Sequence, residues 1–459
     1  MFETVLIANR GEIALRIQRA CRLLGLRTVA VYSEADRDSA HVRMADVAVC
    51  IGPAPAAQSY LNQAALLFSA EETGADAIHP GYGFLSENAG FAEKVEADGR
   101  VFIGPNADTI RRMGDKIAAK QAMQAAGVPC VPGPSEPITS DAQEAHALAA
   151  ALGYPVMVKA AGGGGGRGMR VVKDAGELDA AIAITAEEAR NAFGNPTLYI
   201  EKFLDHPRHV EIQVLCDQHG NAIHLGDRDC SLQRRHQKVL EEAPAPGVPR
   251  DAIGKLGLRC VEACRQIGYR GLGTFEFLYQ DGTFAFIEMN TRVQVEHPVT
   301  EMVTGIDLVR AQIMVAMGHA LPWRQSDIVL RGHAIECRIN AEDPSTFIPS
   351  PGTVTRFDLP GGPGIRVDSH IRAGVAIPSS YDAMIAKLIA HGTDRDEALR
   401  RMEIALSETV IEGIKTNKDF HRMILTDDHV RSGGPTIHHL ENLLKRTEMS
   451  LSPKGTPNG

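Results

Sequence analysis

The sequence predicts a protein of mixed α/β and α+β class in three parts: an N-terminal Rossmann-like domain, a middle unit with a mobile glycine-rich lid, and a C-terminal α+β domain. Three observations carry this. Residues 1 to about 112 alternate short apolar strands with helical patterns. Five consecutive glycines, Gly162 to Gly166, follow an apolar strand ending on Lys159. From His209 onward the pattern becomes antiparallel hairpins, most clearly around Gln280-Asp281-Gly282.

Bulk composition narrows the class. The chain has 459 residues, 44% hydrophobic and 23% charged, enough to bury several cores. A formal net charge of −9 argues against a nucleic-acid binder. No apolar run approaches the ~18 residues of a membrane span, and the opening Val5-Leu6-Ile7-Ala8 reads as a strand rather than a signal core. The 8 cysteines form no Cys-x-x-Cys pair, which points to a reducing cytoplasm.

Element by element, strands are expected at 4–8, 28–32, 45–50, 77–79 and 101–103, with a helix over 12–24 closed by Gly25. Together they predict a doubly wound parallel sheet. The turn Asn9-Arg10-Gly11-Glu12-Ile13-Ala14 matches a dinucleotide fingerprint only at Gly11 and Ala14, so no NAD is expected. A helix over 114–126 ends at Gly127, and the proline-rich stretch after it is read as a hinge. Residues 131–204 then form the lid, with helices over 141–152 and 176–192 beside strands 155–159 and 168–172. The hairpins 210–225 and 274–289 follow within a unit spanning 114–318. A last domain, 330–445, carries strands 333–339 and 384–390 and helices 394–408 and 416–425. The polar tail 446–459 is expected to be disordered.

Chemistry concentrates in a few segments. Bare glycine N–H groups between Lys159 and Arg167 suit close approach to phosphate. Glu276 and Glu288 stand on facing strands of one hairpin, and Asn290 lies two residues past Glu288 on the same face. Two carboxylates and an amide oxygen are hard ligands suited to magnesium on a nucleotide. If that strand continues, Arg292, Gln294 and Glu296 share its face. Arginine can hold a planar oxyanion bidentately, and a neighbouring glutamate can act as base. The segment 227–238 is dense in charge and reads mostly as a solvated loop, with Gln233, His236 and Lys238 as anion or ribose contacts. Tyr82 follows a first-domain strand at the edge where such sheets bind ligands, and Arg338 sits among apolar strand residues, where an arginine needs an anionic partner. No Walker loop occurs. A glycine lid with Lys116, Lys159 and a two-carboxylate hairpin resembles the ATP-grasp architecture.

The segments 159–169, 228–238 and 286–297, with the opening Ile7-Ala8-Asn9-Arg10-Gly11-Glu12-Ile13-Ala14, resemble biotin carboxylase in order and spacing. The resemblance covers residues 1 to about 445. It implies that Lys116, Lys159, Glu201, Lys202, Phe203, Leu204, His209, Gln233 and His236 bind ATP, with Gly165 and Gly166 in the closing lid and Leu278 near the adenine. It implies that Glu276, Glu288 and Asn290 hold magnesium or manganese, as two ions. Lys238, Arg292, Gln294 and the backbone at Val295 would hold bicarbonate, and Glu296 would deprotonate it. Arg338 would stabilise the biotin enolate, and Tyr82 would border the biotin pocket. The Met-Lys-Met carrier segment does not occur in these residues, so a biotin carboxyl carrier protein and carboxyltransferase subunits are expected partners, and a homodimer is a family expectation. Acetyl-CoA carboxylase is the favoured parent complex, with a two-subunit pyruvate carboxylase or an acyl-CoA carboxylase as rivals. Another ATP-grasp ligase, or an ATP-sensing subunit, would share the lid and hairpin without needing biotin.

Overall fold

A computed structural model describes all residues except 1, 135, 139–141, 163–167 and 452–459. The N-terminal sheet is parallel, with strands β1 (Thr4–Ile7), β2 (Arg27–Ser33), β3 (Val47–Gly52), β4 (Ala77–His79) and β5 (Val101–Phe102) in the order β3-β2-β1-β4-β5. One face packs Leu6, Val29, Val31 and Ile78 against Phe91 and Phe102. The other packs Val5, Ile7, Ile13 and Ile17 against Leu215, Leu272 and Ile313 of the middle unit. This second face fixes the sheet's carboxyl edge above the cleft described below. Asn9 Nδ2 donates to the carbonyls of Pro80 (2.7 Å) and Tyr82 (2.8 Å) and ties down the loop after β4. Gly81 there has φ +66°, and a Cβ would lie 2.8 Å from Asn9, so only glycine fits without a shift.

The expected helix over 114–126 is present as Lys116–Ala125, and a separate helix, Ala107–Gly114, precedes it. Asp115 divides them because its carboxylate accepts from the N–H groups of Ile117 and Ala118, both at 2.9 Å, and so caps the second helix. A small antiparallel sheet follows: β6 (Val156–Ala160), β7 (Met169–Val172) and β8 (Leu198–Lys202), ordered β7-β6-β8. Helices Ala142–Leu152 and Leu178–Phe193 cover it with a core of their own.

The largest sheet has eight strands. β9 (Arg208–Cys216), β10 (Ala222–Arg234), β11 (Gln237–Ala243), β12 (Gly271–Gln280), β13 (Thr283–Asn290) and β14 (His333–Asn340) come first. The C-terminal region adds β15 (Gly352–Thr353), β16 (Arg356–Asp358), β17 (Ile365–Ser369), β18 (Ala376–Ile377), β19 (Met384–Gly392) and β20 (Val410–Glu412). The order is β13-β12-β9-β10-β11-β14-β19-β17, so the ladder runs unbroken past residues 318–330 into the C-terminal region. β15 with β18, and β16 with β20, form separate short ribbons.

Two expectations fail here. The segment 227–238 is not a solvated loop: β10 runs to Arg234, and Asp227, Arg228, Asp229 and Ser231 are buried. Pairing with both β9 and β11 encloses charges that look solvated in isolation. The chain also remains ordered past Arg446, because the last helix is His439–Leu451. Residues 452–459, and Gly165 and Gly166 of the lid, lie outside the described residues. No helix among the described residues is long and apolar enough to cross a membrane.

Candidate functional site

A cavity of about 760 Å³ opens between the small sheet, the large sheet and the loop after β4. Of the residues singled out in the sequence, Tyr82, Lys116, Lys159, Lys202, Phe203, Leu204, His209, Gln233, His236, Lys238, Glu276, Leu278, Glu288, Asn290, Arg292, Gln294, Val295 and Arg338 line it. Glu201 and Glu296 stand just behind the wall, 4% and 0% exposed.

A row of side chains crosses the sheet from the cavity wall, at Glu288 and Glu276, into the buried layer beneath it, at Glu211 and Arg228. Glu288 pairs with Glu276, Glu276 with Glu211, and Glu211 with Arg228, on four successive strands. Three carboxylates side by side repel, so cations must accompany them. Lys238 Nζ supplies the central one, at 2.7 Å from Glu211, 2.8 Å from Glu276 and 2.5 Å from Glu296. Lys238 is on β11, three strands from β12, about 14 Å away on a flat sheet. Contact therefore requires the sheet to curl into a trough, and β10 carries register shifts near His224, Asp229 and Leu232 that bend it. Arg228, fully buried, bonds Glu211, Gln213 (2.8 Å), Thr300 (2.9 Å) and Thr274 (3.2 Å) and pins the trough from beneath.

The hairpin turn has two residues, Asp281 and Gly282, both at positive φ, with Gln280 paired to Thr283. Simple pairing from that turn would set Glu276 opposite Ile287 and turn Glu288 to the other face. A bulge between Phe277 and Glu276 inserts one residue and brings Glu288 directly opposite Glu276. Phe275, Phe277 and Phe286 pack on the reverse side. Lys116 Nζ holds Glu288 at 2.7 Å. Around Glu276, Asn290 Nδ2 (2.9 Å), Gln294 Nε2 (3.0 Å) and His209 (3.2 Å) gather. Burial disfavours charge on His209, yet Glu276 beside it lifts its pKa above the ordinary value. The oxygen donors of Glu276, Glu288 and Asn290 fit a hard divalent cation, and each is now met by a positive or amide group that such an ion would displace. His209, Glu211 and Glu276 also bring three donor atoms within 4.8 Å of one another. The Lys238 ammonium already bridges the two carboxylates of that set.

The predicted continuation of β13 through 292–296 does not form; the strand ends at Asn290. Glu87 draws the chain away, accepting from Thr291 N (3.1 Å) and Arg292 Nε (2.9 Å). The side chains still converge. Arg292 donates to Gln294 Oε1 (2.7 Å) and Asn290 Oδ1 (2.8 Å). Lys387 Nζ holds the Val295 carbonyl at 2.8 Å. Glu296 receives Lys238 and, at 3.0 Å, Arg338 Nη2. Burial would push the Glu296 carboxyl up; Lys238, Arg338 and Arg228 together hold it far below the usual range.

At the lid side, Lys159 (2.6 Å) and Lys120 (2.8 Å) both bond Glu201, which therefore orients a cavity lysine from behind. Gln233 Nε2 meets His209 Nδ1 at 2.9 Å. His236 sits at φ +63° in the turn joining β10 to β11. Met157, Met169 and Ile287 add apolar wall. Tyr82 OH donates to Glu12, which also pairs with Lys387 at 3.1 Å.

Sequence reasoning missed Glu211, Arg228, Lys120, Glu87, Glu241 and Lys387. For Glu211 a signal existed. His209, Glu211 and Gln213 alternate with Val210, Ile212 and Val214, so one face of a strand is polar throughout.

Known proteins match this chain over nearly its whole length. Residues 1–110 match the model for the biotin carboxylase N-terminal domain and 336–442 that for its C-terminal domain. Residues 115–324 match the ATP-binding domain of the carbamoyl-phosphate synthase L chain. The biotin carboxylase of Allochromatium vinosum is 63% identical over 97% of this chain and 99% of its own. A pyruvate carboxylase subunit of Methanothermobacter thermautotrophicus is 52% identical over 96% of this chain and 90% of its own. The biotin carboxylase domain dimer of Hydrogenobacter thermophilus 2-oxoglutarate carboxylase, solved with MgADP, ADP and bicarbonate, superimposes with a TM-score of 0.92 at 48% identity, covering 96% of this chain and 98% of that one. Matched from end to end at these identities, the chain belongs to the biotin carboxylase family, enzymes that carboxylate biotin using ATP.

Proposed function

We propose that this chain performs the first half-reaction of acetyl-CoA carboxylase, carboxylating the biotin of a separate carrier protein for a carboxyltransferase partner, as a cytoplasmic homodimer. The single observation that carries the chemistry is the convergence of Lys238, Glu296 and Arg338 beside the paired glutamates of β12 and β13.

In this reading ATP lies between the small and large sheets. Lys116 and Lys159 meet its phosphates, Leu278 and Leu204 border the adenine, and Lys202, His209, Gln233 and His236 complete the pocket. The small sheet of β6, β7 and β8 with its two helices acts as the lid that closes over it and excludes water. Glu276, Glu288 and Asn290 would hold magnesium or manganese, which supplies charge neutralisation at the triphosphate when bound. Arg292, Gln294, Lys238 and the backbone at Val295 hold bicarbonate. Glu296 takes its proton, which sharpens attack on the γ-phosphate. To do so it must give up one cation, and a bicarbonate drawn between Lys238 and Glu296 would replace that contact. Carboxyphosphate then yields carbon dioxide and phosphate. The phosphate takes the proton of the biotin ureido nitrogen while Arg338 stabilises the enolate oxygen, and the nitrogen attacks carbon dioxide. Tyr82 borders the ring.

The test is ATP hydrolysis by the whole chain. It should depend on bicarbonate and rise with free biotin. Stimulation by ammonia or an amino acid instead would indicate another ATP-grasp ligase. Reconstitution with carrier and transferase partners, and a screen of acetyl-CoA, pyruvate and longer acyl-CoA acceptors, identifies the parent complex. The similarity to a pyruvate carboxylase component keeps pyruvate in that screen.

A further inference from the structure

Beside Arg338 the sheet buries more carboxylate than the described protein groups can satisfy. Glu241 of β11 and Glu336 of β14 are direct cross-strand partners. Their side chains therefore share a face, with about 5 Å between Cβ atoms. Both residues are 0% exposed. Arg338, two residues along the same strand, donates Nε to one oxygen of Glu241 at 2.5 Å. The second oxygen of Glu241 and both oxygens of Glu336 have no hydrogen-bond partner among the described residues. Lys387, the other cation on this face, is turned elsewhere, to the Val295 carbonyl at 2.8 Å and Glu12 at 3.1 Å. Two adjoining buried carboxylates served by one guanidinium do not both keep a negative charge.

We propose that Glu241 and Glu336 share a single proton, carried on Glu336, and that this acid–carboxylate pair is a positioning element that fixes Arg338 in the cavity wall. Protonation turns one orphaned acceptor of Glu336 into a donor for the free oxygen of Glu241. Glu241 then stays anionic and holds both Nε and Nη2 of Arg338, while Nη2 also reaches Glu296 and the guanidinium is kept facing the cavity. The electrostatics agree. Burial, then the charges of Glu241 and Glu296, push the Glu336 carboxyl well above its ordinary value, although Lys387 and Arg338 pull the other way. Burial also lifts Glu241 to about 7, against the pull of Arg338.

The kinetic arm of the test rests on the reading of Arg338 given above; the spectroscopic arm does not. Infrared difference spectra of the whole chain near neutral pH should show the carbonyl stretch of a protonated carboxylic acid that disappears in Glu336→Gln. Glu336→Leu, which cannot donate, should raise the KM for free biotin about tenfold, the loss of one charge-linked hydrogen bond, with the KM for ATP unchanged. Glu336→Gln restores a neutral donor of the same shape and should rescue most of that loss. No acid band lost in Glu336→Gln overturns the proposal. So does a folded Glu336→Gln whose biotin KM is as poor as that of Glu336→Leu, because the charge would then be what matters. An Arg338→Gln variant with normal biotin kinetics, in a protein that still shows the acid band, would refute the role of Arg338 and leave the shared proton standing.

Discussion

Lys238→Met gives the sharpest test of how the trough is held together. The ammonium it removes touches three buried carboxylates at 2.5 to 2.8 Å. Three charge-assisted bonds at about 1.5–3 kcal/mol each would sum to far more than is realised, because the abandoned groups can take up protons. Removing one member of a buried ionic cluster typically costs about 3–5 kcal/mol, and that is the expected loss near pH 7 in metal-free, nucleotide-free protein. The pH dependence separates this from a packing defect. In the parent chain Glu296 titrates far below its unfolded value of about 4.3, so it contributes stability above that pH, and the contribution is lost as pH falls below it. In the variant, burial without Lys238 raises the carboxyl pKa values. Raised groups bind protons in the folded state first, so the variant is relieved as pH falls from about 7 toward 4. Urea unfolding at a series of pH values should show the stability gap narrowing across that window. A gap that stays constant with pH, or one below about 1 kcal/mol at pH 7, would refute the electrostatic account.

Other outcomes follow from the same geometry. Glu296→Gln should lower biotin-dependent carboxylation by about 10²–10⁴-fold, the scale of a lost general base, with little change in ATP affinity by calorimetry. Glu288→Gln removes one charged ligand and should raise the magnesium concentration needed for half-maximal ATP hydrolysis by about tenfold to a hundredfold. Phe277→Ala, on the reverse face of the same hairpin and 0% exposed, should cost about 3–5 kcal/mol in chemical denaturation through the cavity it leaves.

Local patterns in the chain were enough to place the N-terminal strands, because an apolar run followed by an amphipathic helix carries its own signal. Glu276 and Glu288 were expected to face each other across a three-residue loop, Gln280-Asp281-Gly282; they do face each other, but the turn has two residues and an inserted residue between Phe277 and Glu276 restores the register. Glu211 escaped because its meaning comes from pairing β9 with β12, strands about sixty residues apart. The charges of 227–231 misled for the same reason: only long-range neighbours on both sides show them to be buried. Residues 291–296 have an alternating pattern, yet Glu87, some two hundred positions earlier, takes up the backbone and side chain that a strand would have used.

The unbroken ladder from β13 through β14 to β19 has a consequence for how substrates enter. The groups that would grip the nucleotide's metal and the arginine that would meet biotin are spaced by rungs of one hydrogen-bonded lattice, so bending between domains cannot bring them closer or pull them apart. With the separately cored unit of β6, β7 and β8 as the proposed lid, loosening it should alter turnover while the two reaction centres keep their separation.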